Sequence, residues 1–172
     1  RKVLRSGRFQ LTMDQAFAGV MGGCAEPRPG QEGTWITSDV FEAYCALAHL
    51  GLAHSVEAWQ DGQLVGGLYG VALGRMFFGE SMFARVSDAS KVAFVTMVRQ
   101  LERWGMPLVD CQMSTAHLAS LGAREIPRAD FVRHVRGLVT QPAVDIPWRF
   151  HADLLGAMDA SESPAGAPRQ EL

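Results

Sequence analysis

Cysteine is scarce in this chain. Cys24, Cys45 and Cys111 are three in 172 residues, odd in number and far apart. They fit neither a disulfide framework nor a CxxC zinc site, so a reducing, cytoplasmic setting is expected. No run of about 18 apolar residues exists, which excludes a membrane-spanning helix, and no signal peptide is expected. Neither charge sign dominates: the net charge of −2 excludes a uniformly basic nucleic-acid coat but leaves room for a local basic patch. There is no GxGxxG, no P-loop and no HExxH. His49, His54, His117, His134 and His151 have no ligand-like spacing with the cysteines. Dinucleotide binding, nucleotide hydrolysis and zinc therefore lack a signature, and neither metal nor cofactor is expected. No internal repeat is present.

What remains is a globular composition, 48% apolar and 20% charged. A chain of this length can bury about 70% of its unfolded surface without a staple. Residues 1–9, RKVLRSGRF, carry Arg1, Lys2, Arg5 and Arg8 and no acid. If helical, Arg1, Arg5 and Arg8 share one face and can meet phosphates. Residues 10–150 form the expected domain, and 151–172 an expected unstructured tail.

Within the domain, 12–22 reads as a helix capped by Thr12, and 23–34 as a Gly/Pro loop. A second helix fits 38–51, capped by Ser38 or Thr37 and stopped by Gly51. Residues 53–60 and 63–73 flank Asp61-Gly62 as a hairpin. The adjacent Gly66 and Gly67 suggest a bulge or a close backbone approach. A third strand follows at 76–83, the longest helix at 89–104, and a strand at 107–113 whose continuous apolarity suggests a central position. Short helices at 115–121 and 128–138 complete the order. The expected class is α+β, a mixed α/β sandwich of antiparallel hairpins and a βαβ unit with helices on both faces.

Two sites could carry chemistry. Glu80 lies among the apolar side chains of MFFGESMF; it either faces outward or lines a cleft. Asp110 and Gln112 sit two apart in PLVDCQ, hence on one strand face, where an acid and an amide can hold an amine or polarise an acyl group. The plainer reading makes Asp110 the cap of the following loop. Cys111 points the other way, and no local histidine supports it as a nucleophile. A second basic set, Arg124, Arg128, Arg133 and Arg136, is diluted by Glu125 and Asp130 and reads as a solvated helix face.

EGTWI (32–36), GGLYG (66–70), GESMF (79–83), SDASK (87–91), DCQ (110–112) and HLASLGAREIPR (117–128) together resemble the leucyl/phenylalanyl-tRNA–protein transferase family, over about residues 1–148. The resemblance implies a catalytic domain similar to the GCN5-related acetyltransferase fold. It implies transfer of Leu or Phe, with Met, from aminoacyl-tRNA to the N-terminal Arg or Lys of acceptor proteins. The peptide bond so formed marks the acceptor for N-degron proteolysis. Aminoacyl-tRNA and acceptor proteins are the partners it implies; a cytoplasmic monomer without membrane association is the default expectation beside it.

It further implies that Asp110 and Gln112 handle the attacking amine and the ester, with Glu80 the acid of GESMF beside them. Trp35, Leu68, Phe77 and Ser81 become residues of the aminoacyl pocket. Arg1, Lys2, Arg5 and Arg8 become the tRNA-binding stretch. Family members usually carry a small N-terminal domain, after which this chain begins. Two alternatives stand beside this: a coenzyme A-dependent N-acetyltransferase, and a non-catalytic RNA-binding module of the same fold. Against the first, the stretch ARVSDASKVA (84–93) holds no glycine for a pyrophosphate loop.

Overall fold

The computed structural model describes residues 7–27 and 33–155. In chain order the elements are β1 (Gln10–Met13), α1 (Phe17–Ala25), α2 (Ser38–His49), β2 (Ala53–Gln60), β3 (Gln63–Leu73), β4 (Met76–Ala84), α3 (Ala89–Arg103), β5 (Leu108–Asp110), α4 (Ala116–Ser120) and α5 (Arg128–Val139), then a 3-10 turn at Ala152–Leu154. The strands form one sheet in the order β1-β2-β3-β4-β5. Three pairings are antiparallel, and β4 with β5 is parallel. Helix α3 is the crossover between that last pair. The architecture is the mixed α+β sandwich expected.

Local chemistry explains most boundaries. Asp61 (φ 52°) and Gly62 (φ 73°) both take the left-handed conformation of a tight hairpin turn. The Thr37 side chain accepts the Val40 N–H and caps α2. Gly51 and Gly105, at φ 70° and 71°, end α2 and α3. The expected close approach at the paired glycines is real: a Cβ on Gly66 would lie 2.6 Å from Ala89 Cβ, and one on Gly67 2.6 Å from Val56 O.

Each sheet face has its own core. On one, Leu11, Met13, Val56, Leu68 and Phe77 pack against Val92, Met97, Leu101 and Trp104 of the α3 layer. On the other, Tyr69 and Phe83 pack against Val20, Met21 and Cys24 of α1, with Phe41 and Tyr44 of α2 beside them. Neighbouring residues such as Leu68 and Tyr69 thus serve opposite cores, as strand alternation requires.

The structure departs from sequence expectation at several points. Residues 10–13 are a strand, not the start of a helix. They pair with β2, whose edge supplies backbone partners, and Leu11 and Met13 face the α3 core. Asp14 (φ 55°) breaks the strand, and α1 begins only at Phe17. Thr12 does not cap a helix; its hydroxyl donates to Glu57. Strand β5 has three half-buried residues and lies at the sheet edge, not its centre. Of the expected basic helix 1–9, residues 1–6 lie outside the described part; Arg8 is exposed with its guanidinium 5.1 Å from the Phe9 ring centroid. Of the expected tail 151–172, residues 156–172 lie outside the described part, and the rest holds the turn Ala152–Leu154.

Gly70 gives a sharp packing test. A Cβ there would sit 2.2 Å from Phe78 O and 2.7 Å from the Phe77 ring. Gly70→Ala is expected to cost about 1–3 kcal/mol, the range for overpacking a filled core. Urea denaturation checks this, and an unchanged midpoint would show that β4 yields freely.

Candidate active site

Strand β4 carries one residue more than its partner at the middle. Gly70 pairs with Gly79 and Tyr69 with Ser81, so Glu80 is the extra residue of a bulge. The bulge resets the alternation: Phe77 and Met82 both reach the α3 core, although five residues apart, while Phe83 enters the α1/α2 core. Glu80 is thereby turned toward α2, where its charge acts on the phenol of Tyr44. Bulges of this kind re-aim side chains beside functional sites.

Asp110 arrives next to this bulge because β5 pairs Phe78 with Asp110. The strand ends there. Gln112 is outside it, with φ 60°, so the two side chains are not joined by strand alternation as expected. A turn joins them instead. Asp110 Oδ1 accepts the Gln112 N–H at 2.8 Å, and the Gln112 Nε2 donates to Glu80 Oε2 at 3.2 Å. Asp110 is therefore the loop cap of the plainer reading, and that cap presents Gln112 to Glu80. The carboxylate of Glu80 only accepts, so the Gln112 amide oxygen is left for another donor.

Nothing in the sequence singles out Tyr44. Burial, then the charge of Glu80, pushes its phenol up from 10.0 to about 12. Tyr69 is pushed up further, by burial and by Cys24, Tyr44 and Glu80 around it. The two rings meet edge-on at 5.3 Å, Trp35 meets Tyr44 at 6.5 Å, and Phe17 meets Tyr69 at 5.8 Å. This aromatic row runs from the fully buried Tyr69 to Trp35, which is 52% exposed.

The chain has no other tyrosine. No tyrosinate absorbance is expected until the pH passes the ordinary phenol value of about 10. In the folded state both phenols hold their protons more tightly than in the unfolded chain. Their contribution to stability is thus present below the ordinary value and lost as the pH rises through about 12 for Tyr44. A tyrosinate signal in the native protein at or below the ordinary value would contradict this arrangement.

The remaining candidates divide by face. Trp35 joins the Tyr44 row, and Ser81, half-buried, pairs with Tyr69 in register. Leu68 and Phe77, 3% and 1% exposed, are together in the α3 core, behind the sheet from Glu80. Arg8 is exposed, whereas Arg1, Lys2 and Arg5 lie outside the described residues. Among the described residues, no group of three or more His, Cys, Asp or Glu is arranged to hold a metal ion. No helix among them is long and apolar enough to cross a membrane.

Comparison with known proteins matches the site's motifs to one family. A family model described as leucyl/phenylalanyl-tRNA protein transferase matches residues 1–136. Proteins of that name from Nitrosospira multiformis and Thiobacillus denitrificans are 59% and 58% identical, each over 87% of this chain. One from Burkholderia ambifaria is 52% identical over 96% of it. The chain spans 65% of the length of each of these relatives. A solved ribosomal-protein-alanine N-acetyltransferase from Brucella melitensis biovar Abortus aligns over 80% of this chain and 94% of its own, at 15% identity and a TM-score of 0.43. With its family model covering the whole of the Glu80, Asp110 and Gln112 constellation, this chain belongs to the leucyl/phenylalanyl-tRNA–protein transferase family.

Proposed function

We propose that this chain transfers Leu or Phe, and Met, from aminoacyl-tRNA to the N-terminal Arg or Lys of acceptor proteins in the cytoplasm, acting as a monomer and marking them for N-degron proteolysis. The observation that carries the reading is the linked set Asp110, Gln112 and Glu80, with Tyr44 on the far side of Glu80.

The ester between an amino acid and tRNA is already activated, so positioning and proton handling suffice. The acceptor's α-ammonium must lose a proton before its nitrogen attacks the ester carbonyl. The new N–C bond replaces the bond to the tRNA ribose oxygen. Of the two protons the nitrogen gives up in all, one goes to that leaving oxygen and one to solvent. In this reading the Gln112 amide oxygen accepts an N–H of the amine and aims its lone pair. Asp110 keeps Gln112 in place through the turn and supplies negative charge nearby. Glu80 holds the amide in the right sense and draws the acceptor's cationic end.

Beyond Phe78 and Asp110, β4 and β5 no longer pair; in this reading the transferred side chain passes there to the other face of the sheet, where Leu68 and Phe77 offer it apolar surface, with Met82 and Met97 in the same cluster. Thioether side chains adapt to differently shaped guests, which suits Leu, Phe and Met together. Arg8, with Arg1, Lys2 and Arg5, would meet tRNA phosphates. The coenzyme A alternative fares worse at the start of α3: Asp88 occupies its N-cap with φ 71° and pairs with Lys91, placing a carboxylate where a pyrophosphate would sit.

The test is a transfer assay. Leucine- or phenylalanine-charged tRNA is mixed with acceptors beginning with Arg, Lys or Ala. Label is expected on the Arg and Lys acceptors alone. Label on none, or on the Ala acceptor equally, would refute the reading.

A further inference from the structure

The chain after α5 contains a tryptophan that the reaction scheme leaves unused. Trp148 lies in a segment without helix or strand, yet it is only 8% exposed. Its ring stacks on His54 at 3.5 Å with 3° between the planes. His54 is itself held from behind: its Nδ1 lies 2.7 Å from Asp14 Oδ2, while Asp14 Oδ1 accepts the Ser55 N–H at 2.8 Å. The indole also meets Trp104 edge-on at 5.1 Å and Phe77 at 6.0 Å.

Residues 144–155 form a strap over α3. Val144, Phe150 and Leu155 pack on the α3-side core. The His151 N–H donates to Gln100 Oε1 at 2.7 Å, and Arg103 grips Asp153 with two hydrogen bonds of 2.7 and 2.6 Å. Each of these contacts has a side chain on at least one of its two sides. Beneath it, Gln100 Nε2 and Trp104 Nε1 are buried without a hydrogen-bond partner. A site selected only for stability would satisfy those donors, since each orphan is costly.

We infer that Trp148 is a specificity-determining wall of the aminoacyl pocket, with His54 and Asp14 as the positioning residues that set the plane of its ring. This rests on the reading that Leu68 and Phe77 receive the transferred side chain. Phe77 is fully buried, and Trp148 is what stands against it from the strap side. How far Phe77 can retreat before a bulky guest therefore depends on the indole. His54 keeps the indole flat through the stack, and Asp14 keeps the His54 ring from rotating. The wall discriminates by size: a guest larger than leucine must press Phe77 toward Trp148.

The experiment compares Trp148→Phe with the parent chain, measuring kcat/KM for Phe-tRNA and Leu-tRNA separately. The smaller ring opens space behind Phe77. The Phe-over-Leu ratio is expected to rise by about tenfold, the scale of discrimination that a small change in apolar pocket volume produces. Asp14→Ala is expected to move the ratio in the same direction by less, and Asp14→Asn, which keeps an acceptor, to restore it. Val20→Ala, in the opposite core, controls for general loosening and should leave the ratio alone. If Trp148→Phe does not fold, Trp148→Tyr replaces it.

A ratio that stays constant, or that moves equally in Val20→Ala, overturns the inference while transfer itself stands. Calorimetry with non-hydrolysable 3′-amide analogues of phenylalanyl- and leucyl-adenosine gives a second reading without turnover. The variant is expected to gain affinity for the phenylalanyl analogue relative to the leucyl one, and unchanged relative affinities overturn the inference. A parent chain that transfers neither residue and binds neither analogue fails at the proposed function, and the wall falls with it.

Discussion

Asp110→Asn is expected to slow aminoacyl transfer by about 10²-fold or more while leaving the melting midpoint within a few degrees of the parent. The substitution separates the two roles of this side chain. Asparagine retains an oxygen to accept the Gln112 N–H, so the turn that places Gln112 at φ 60° survives. What is lost is the negative charge beside the amine that must shed a proton. In the proposed scheme that charge draws the ammonium in and stabilises the positive charge that develops on its nitrogen during attack on the ester. Asp110→Ala removes the turn as well and should be slower still, with Gln112 released from Glu80. Steady-state kinetics with charged tRNA and an Arg-initiated peptide make the comparison. An Asp110→Asn enzyme at parent rate would leave Asp110 only its structural role as a loop cap.

The second large effect is on stability. Glu57 is fully buried on β2, and its carboxylate accepts from four donors. These are the hydroxyls of Thr12 and Ser55 and the backbone N–H groups of Gln15 and Ala16, the last two at 3.5 and 3.4 Å. Thr12 in turn accepts from Trp59 Nε1 at 2.8 Å. The carboxylate thus satisfies orphan donors at the start of α1 and lies at the positive end of that helix. Glu57→Leu removes the acceptor of all four donors, of which the Ser55 hydroxyl is fully buried and the other three lie nearer the surface. The expected loss is at least about 3 kcal/mol, at about 1–3 kcal/mol for each orphan discounted for partial relaxation. Against a typical total of about 5–15 kcal/mol this is a large fraction. Glu57→Gln keeps one good acceptor and should lose clearly less. Urea denaturation distinguishes them. Equal midpoints for parent and Glu57→Leu would mean that the network adds nothing net.

Much of the secondary structure was open to reading because its causes are local. The hairpin at Asp61-Gly62 needs two left-handed residues, and the sequence offers the pair that adopts them most readily. Helix α2 is bounded by Thr37 and Gly51, each acting within a turn of itself. The motifs around Glu80 and around Asp110 and Gln112 were visible as strings of residue types. Strand β1 was missed because QLTM has no signal of its own; what makes it a strand is the open edge of β2, more than forty residues away. Strand β5 looked central because PLV is apolar, yet apolarity reports burial under α3 and says nothing about the order of strands.

The site shows the same division more finely. Residue types, spacing and family membership all follow from the chain as written, and with them the identity of the acid, amide and acid that meet. Which way each points does not. Glu80 faces Tyr44 because pairing with β3 leaves one residue over at the bulge, a count that requires both strands. Gln112 reaches Glu80 because the chain leaves the sheet at Asp110 and turns on its carboxylate. Glu57 became a buried hub, and Trp148 a neighbour of Phe77, only when segments far apart in sequence closed over them. Propensity and capping act over a few residues and can be read along the chain. Burial, side-chain direction and the strength of a buried charge depend on what packs from the other side, and that is settled only when the layers meet.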